Sequence, residues 1–126
     1  MPEHDSWNKI WELNHRVADL GEPLDLSDET RALLRETASE VAIASEEAAR
    51  ALQGDGSAAT SLLKEVAKRI RVGSRRLSRA IAEANKFQEE GDLDAARAPL
   101  LDLLAVEVVP YYRELAQIHL DALDEP

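Results

Sequence analysis

The feature that most constrains this chain is the run from Ser57 to Glu90, which contains nothing that must stop a helix. Leu63, Val66, Ile70, Gly73, Leu77, Ala80, Ala84 and Phe87 alternate steps of three and four through it, the signature of a heptad seam. At 1.5 Å of rise per residue the helix would be roughly 50 Å long. Gly91-Asp92 then turns the chain. A second apolar stripe follows through Leu93, Ala96, Leu100, Leu104, Val108, Tyr111, Leu115, Ile118 and Ala122. Pro99 and Pro110 interrupt it, so the return arm is expected to be kinked or divided in two. So short a turn makes the two arms antiparallel neighbours. Pairing residues about position 91 places Gly73 level with Pro110, and Glu107 level with Arg75 and Arg76. Gly73 then either leaves room for the bend at Pro110 or is itself a hinge.

Shorter helical signals precede the long run. Asp5 or Ser6 can cap a first helix in which Trp7, Ile10, Trp11, Asn14 and Val17 share a face, and both indoles are expected to be buried there. Gly21-Glu22-Pro23 stops that helix near Leu20. Ser27 caps a second, with Asp28 and Glu29 in the first turn where the helix dipole favours anions. A break near Val41 to Ile43 leads to a third helix from Ser45 through Leu52, and residues 53–57, QGDGS, form a loop. The expected fold is all-α: a helical bundle built on a long antiparallel helical hairpin, about residues 58–123, with the shorter N-terminal helices of about residues 6–53 packed across it. A length of 126 residues suits a single domain over the whole chain.

Composition agrees and narrows the chemistry. Hydrophobic residues make up 44% but aromatics only 4%, so the apolar material is aliphatic and suited to helix packing. With no cysteine, disulfides, thiol nucleophiles and thiolate metal sites are ruled out. The start, MPEHDSW, lacks a basic and then apolar leader, and no apolar run approaches the roughly 18 residues of a membrane span. A cytoplasmic protein without membrane contact is expected. Glu12 and His15 have the Glu-x-x-His spacing of bundle metal centres, but no second such motif exists, and two exposed polar residues are the simpler reading. Neither a phosphate loop nor a nucleophile motif occurs, so no cofactor and no enzymatic activity are expected. A helix-turn-helix reading of residues 30–52 fails because its second helix, SEEAARAL, would lead with two glutamates where phosphates are met.

Charge is segregated. Residues 1–56 carry thirteen acids and five bases, residues 57–88 two acids and eight bases, and residues 89–126 ten acids and two bases. A basic centre with net charge +6 therefore lies between two segments of −8 each. With Leu63 at heptad position a, Lys64, Lys68, Arg71, Arg75 and Arg79 fall at b, f, b, f and c, a row on the side away from the seam. Arg69 and Arg76 fall at g, beside the seam. The row has three open fates: a solvated face, cover by the chain's own acidic N-terminal half, or a dock for an acidic protein partner. Nucleic acid is disfavoured, because the bases lack interleaved aromatics and sit in a strongly acidic background. Glu107, in VEVVP, lies near the apolar stripe, and an ion pair with Arg75 or Arg76 that fixes the register of the arms is its expected role.

GEPLDLSDETRALL (residues 21–34), RIRVGSRRLSRA (residues 69–80) and GDLDAARAPLLDLLAVEVVPYYRELA (residues 91–116) together resemble, in order and spacing, the DUSAM domain, a domain of unknown function found in myxobacteria. The resemblance covers nearly the whole chain, and AVEVVPYYRELA is its most specific part. It implies a small cytoplasmic helical domain with no catalytic residues to carry over. The function expected from sequence is a non-catalytic protein-interaction or regulatory module. The alternative is a nucleic-acid-associated protein using the basic row, and self-association is compatible with either.

Overall fold

A computed structural model describes residues 5–125. Among these residues the regular structure is entirely helical. Helix α1 spans Asp5–Asn14 and passes into a π-helical turn, His15–Asp19; α2 spans Asp28–Glu40, α3 Ser45–Gln53, α4 Gly56–Glu89, α5 Leu93–Val106 and α6 Pro110–Ala122. Two compact units meet in sequence at Ile70 and Arg71, within α4.

In the first unit, α1 widens into its π turn where the Leu20 amide reaches back five residues to the His15 carbonyl. Gly21, at φ 72°, then ends the helix in a conformation that suits a residue without Cβ. Ser27 caps α2, its Oγ accepting from the Thr30 amide at 3.2 Å. The break after α2 is a Schellman turn: Ala42 adopts φ 67°, the Ile43 amide donates to the Ala38 carbonyl, and the Ile43 side chain is buried. Ile10, Leu34, Ala38, Val41, Leu63 and Val66 form the fully buried centre of this unit. Three side chains tie its elements together. Trp7 Nε1 donates to Glu40 at 3.0 Å, an Arg31 guanidinium N–H donates to the Leu52 carbonyl at 2.8 Å, and an Arg69 guanidinium N–H donates to the Val41 carbonyl at 3.0 Å.

The two tryptophans do not share a fate. Trp7 is 8% exposed but Trp11 is 54% exposed, which corrects the expectation that both indoles are buried. Ile10 is completely buried and marks the inward direction of α1. Trp11, the next residue, is turned about 100° away from it. Leu13 and Val17, on the other side of Ile10, are half-buried instead.

In the second unit, α4 runs from Arg71 to Glu89, Gly91 turns the chain at φ 81°, and Asp92 caps α5 by accepting from the Ala95 amide at 3.0 Å. The segment after Gly91-Asp92 is divided once. Helix α5 continues through Pro99, which removes one donor from the helix without ending it. The break comes at Glu107, Val108 and Val109, and Pro110 opens α6 at the first helical position, where its missing N–H costs nothing. Helices α5 and α6 pack on each other, with Leu100, Leu103, Val109, Tyr112 and Ala116 buried. Arg97 pairs with Asp94 and Asp124, joining the start of α5 to the end of α6.

Candidate interaction surface

Helix α4 sorts its bases by heptad position. The two at g face inward and are only partly exposed. Arg69 donates to Glu65 at 2.8 Å and to the Val41 carbonyl, and Arg76 donates to Glu107 at 2.9 Å. Lys64, Lys68, Arg71, Arg75 and Arg79, at b, c and f, are all exposed, and among the described residues none of the five has an ion-pair partner. Lys64 and Lys68 belong to the first unit, and Arg71, Arg75 and Arg79 to the second. No acid occurs in the sequence between Glu65 and Glu83, and Glu83 lies one turn beyond Arg79.

The buried carboxylate is held by more than its arginine. Only 1% of the Glu107 side chain is exposed, against 35% for Arg76. One oxygen takes the guanidinium; the other accepts from the backbone amides of Val108 and Val109 at 3.1 and 3.0 Å. Those two amides precede α6, so the carboxylate sits at the positive end of that helix and satisfies donors the helix itself cannot. Arg113, one turn into α6, donates to the carbonyls of Leu104 and Glu107 and so ties the end of α5 to the start of α6. Arg75, the other arginine considered for Glu107, is exposed and is not paired with it.

Gly73 faces this clamp. A Cβ there would lie 2.4 and 2.6 Å from two carbons of the Tyr112 ring and 3.0 Å from a Glu107 oxygen. The glycine leaves space for the Tyr112 ring, two residues past Pro110, and for the Glu107 carboxylate at the break. Burial pushes the Tyr112 hydroxyl up to about 12, with the hydrogen bond from Ser74 opposing that shift and the nearby Glu107 and Tyr111 adding to it. Sequence reading found Glu107 and Gly73 through register. It missed Tyr112 and the two amides, although the Tyr-Tyr pair directly after Pro110 was a usable signal.

The Glu-x-x-His pair is not assembled into a metal centre. His15 Nδ1 pairs with Asp19 at 2.8 Å on the surface, and among the described residues no group of three His, Asp or Glu side chains is placed to hold a metal ion. Nor is any helix of the described residues long and apolar enough to cross a membrane. A groove of about 680 Å³ between α1 and α2 is lined by both signs of charge, including Lys9, Arg16, Glu12, Glu29 and Glu36.

A family model described as a protein of unknown function, DUF2379, matches residues 5–123. Neither a curated protein nor a solved structure matches the chain.

Proposed function

We propose that this chain, which belongs to the DUF2379 family of proteins of unknown function, is a non-catalytic protein-interaction or regulatory module that docks an acidic protein through the exposed bases of α4. The observation that carries the reading is the division of labour on that helix. Arg69 and Arg76 are spent on internal hydrogen bonds, while Lys64, Lys68, Arg71, Arg75 and Arg79 are exposed and unpaired among the described residues. Exposed ion pairs contribute about 0 to 1 kcal/mol each, so this row adds little to folding and is free to serve recognition. The resemblance to the DUSAM domain, the single-domain organisation, the long hairpin as scaffold and a cytoplasmic location complete the proposal. The clamp at Glu107, Arg76 and Tyr112 keeps that scaffold in register.

The test is the triple variant Arg71→Glu, Arg75→Glu and Arg79→Glu. We expect its melting temperature to stay within a few degrees of wild type, and an acidic protein captured from the native host by wild type to be lost. A marked loss of stability at low salt would mean that the chain's own acids cover the row. Binding of any oligonucleotide sequence, falling steeply with salt and lost on reversal, would replace the protein partner with nucleic acid.

A further inference from the structure

The second unit presents more than charge on α4. Arg71, Arg75 and Arg79 are spaced by four and form one ridge of the helix surface. Ser74, Ser78 and Ala82, also spaced by four, form the ridge beside it. All six residues are exposed. The second ridge consists of small side chains, with the Ser74 hydroxyl bonded to Tyr112 at one end, so a shallow trough runs directly alongside the arginines. Small residues at one contact line let a second helix approach closely, and ridges of four-residue spacing interlock with one another at about −50°. Successive residues of such a ridge rise about 6 Å, the same interval in both helices.

We infer that this trough seats an α-helix of a partner protein, whose Asp or Glu side chains at four-residue intervals meet Arg71, Arg75 and Arg79. The inference rests on the reading that the row docks an acidic protein, and it names the shape of the docking element. A second copy of this chain does not supply it. Within the helices of the described residues, no unbroken row at steps of three or four carries more than two acids. In α2 the row Glu36–Glu40 ends on a carboxylate already taken by Trp7 Nε1 and Ser6. A nucleic-acid strand fits the trough poorly, because neither ridge offers an aromatic for a base to stack on.

Two synthetic peptides of identical composition test this, one helical with glutamates at four-residue intervals, the other kept extended by interspersed proline with glutamates at alternate positions. Binding is measured by fluorescence anisotropy at low and physiological salt against wild type, the Arg71→Glu, Arg75→Glu, Arg79→Glu variant, and Ser78→Leu with Ala82→Leu. The last fills the trough but keeps every charge, and thermal melts confirm that each variant is folded. We expect the helical peptide to bind about tenfold more tightly than the extended one, and to lose about that factor when the trough is filled. The extended peptide should be unaffected by filling, and both should be lost on charge reversal. Equal affinity for the two peptides, or no effect of Ser78→Leu with Ala82→Leu, overturns the helix seat and leaves the acidic dock standing. Failure of wild type to bind either peptide at low salt overturns both.

Discussion

The inner and outer faces of α4 carry the same residue type and use it differently. Arg76 is 35% exposed and holds Glu107, whereas Arg75, its neighbour in the chain, is exposed and pairs with no described residue. Helix α1 repeats the contrast with Trp7, which donates to Glu40 from the interior, and Trp11, which is 54% exposed. About 100° of helical rotation separates Arg75 from Arg76, and only about 40° separates Trp7 from Trp11. Residue identity alone therefore says little about role in this protein. Position relative to the apolar seam says most of it, and each pair can be broken by substituting its two members separately.

The largest expected difference lies between the tryptophans. Trp7→Ala removes a buried indole and leaves Glu40 with Ser6 as its donor, so it should cost about 3 to 5 kcal/mol. Trp11→Ala should cost less than about 1 kcal/mol, because most of that ring is already in water. Chemical denaturation of the two variants measures this directly. Equal losses would mean that α1 is oriented differently from the face marked by Ile10.

Much of this contrast was legible in the sequence where a stop signal or a heptad position decided it. Gly21, Ser27 and Gly91-Asp92 bound the helices as expected, and the g positions separated Arg69 and Arg76 from the outer row. Trp11 was misplaced because its stripe on α1 is wide, and only the burial of Ile10 and half-burial of Leu13 show which edge faces inward. The two prolines looked equivalent from sequence and are not. Pro99 sits within an otherwise intact helix, while at Pro110 the Glu107 carboxylate has captured the amides of Val108 and Val109, and Val109 is extended at ψ 116°. That capture is a tertiary arrangement of side chain on backbone, which no local pattern announces. The approach of Tyr112 to Gly73 is likewise a contact between residues far apart in sequence, visible only in three dimensions.

A second test probes the interior that Gly73 opens. Tyr112 is buried, and its hydroxyl is raised to about 12 from the ordinary value near 10. Below pH 10 the tyrosine is protonated in both folded and unfolded chains and its contribution is fully present. As pH rises from 10 toward 12 the unfolded chain gives up its proton first, so stability is progressively lost, by roughly 2 to 3 kcal/mol. Tyr112→Phe should flatten this part of the stability profile. Denaturant midpoints measured from pH 9 to 12 should fall more steeply with pH for wild type than for the variant. An unchanged alkaline slope in the variant would remove Tyr112 from the interior.

The smallest effects, and the sharpest comparison, belong to the two adjacent arginines. Arg76→Gln withdraws the cation from a carboxylate whose side chain is 1% exposed, while the Val108 and Val109 amides still hold its other oxygen. The partial exposure of Arg76 also lets water replace some of what is lost. We therefore expect about 1 to 2 kcal/mol of destabilisation, below the cost of stranding a fully buried charge. Arg75→Gln should change stability by less than about 0.5 kcal/mol, since the side chain has no described ion-pair partner. Binding should respond in the reverse order: Arg75→Gln weakens the acidic helical peptide, and Arg76→Gln leaves it unchanged as long as the protein is folded. Two urea titrations and two anisotropy curves are enough to see both orders. If Arg75→Gln costs as much stability as Arg76→Gln, the outer row is part of the structure rather than a surface kept for a partner.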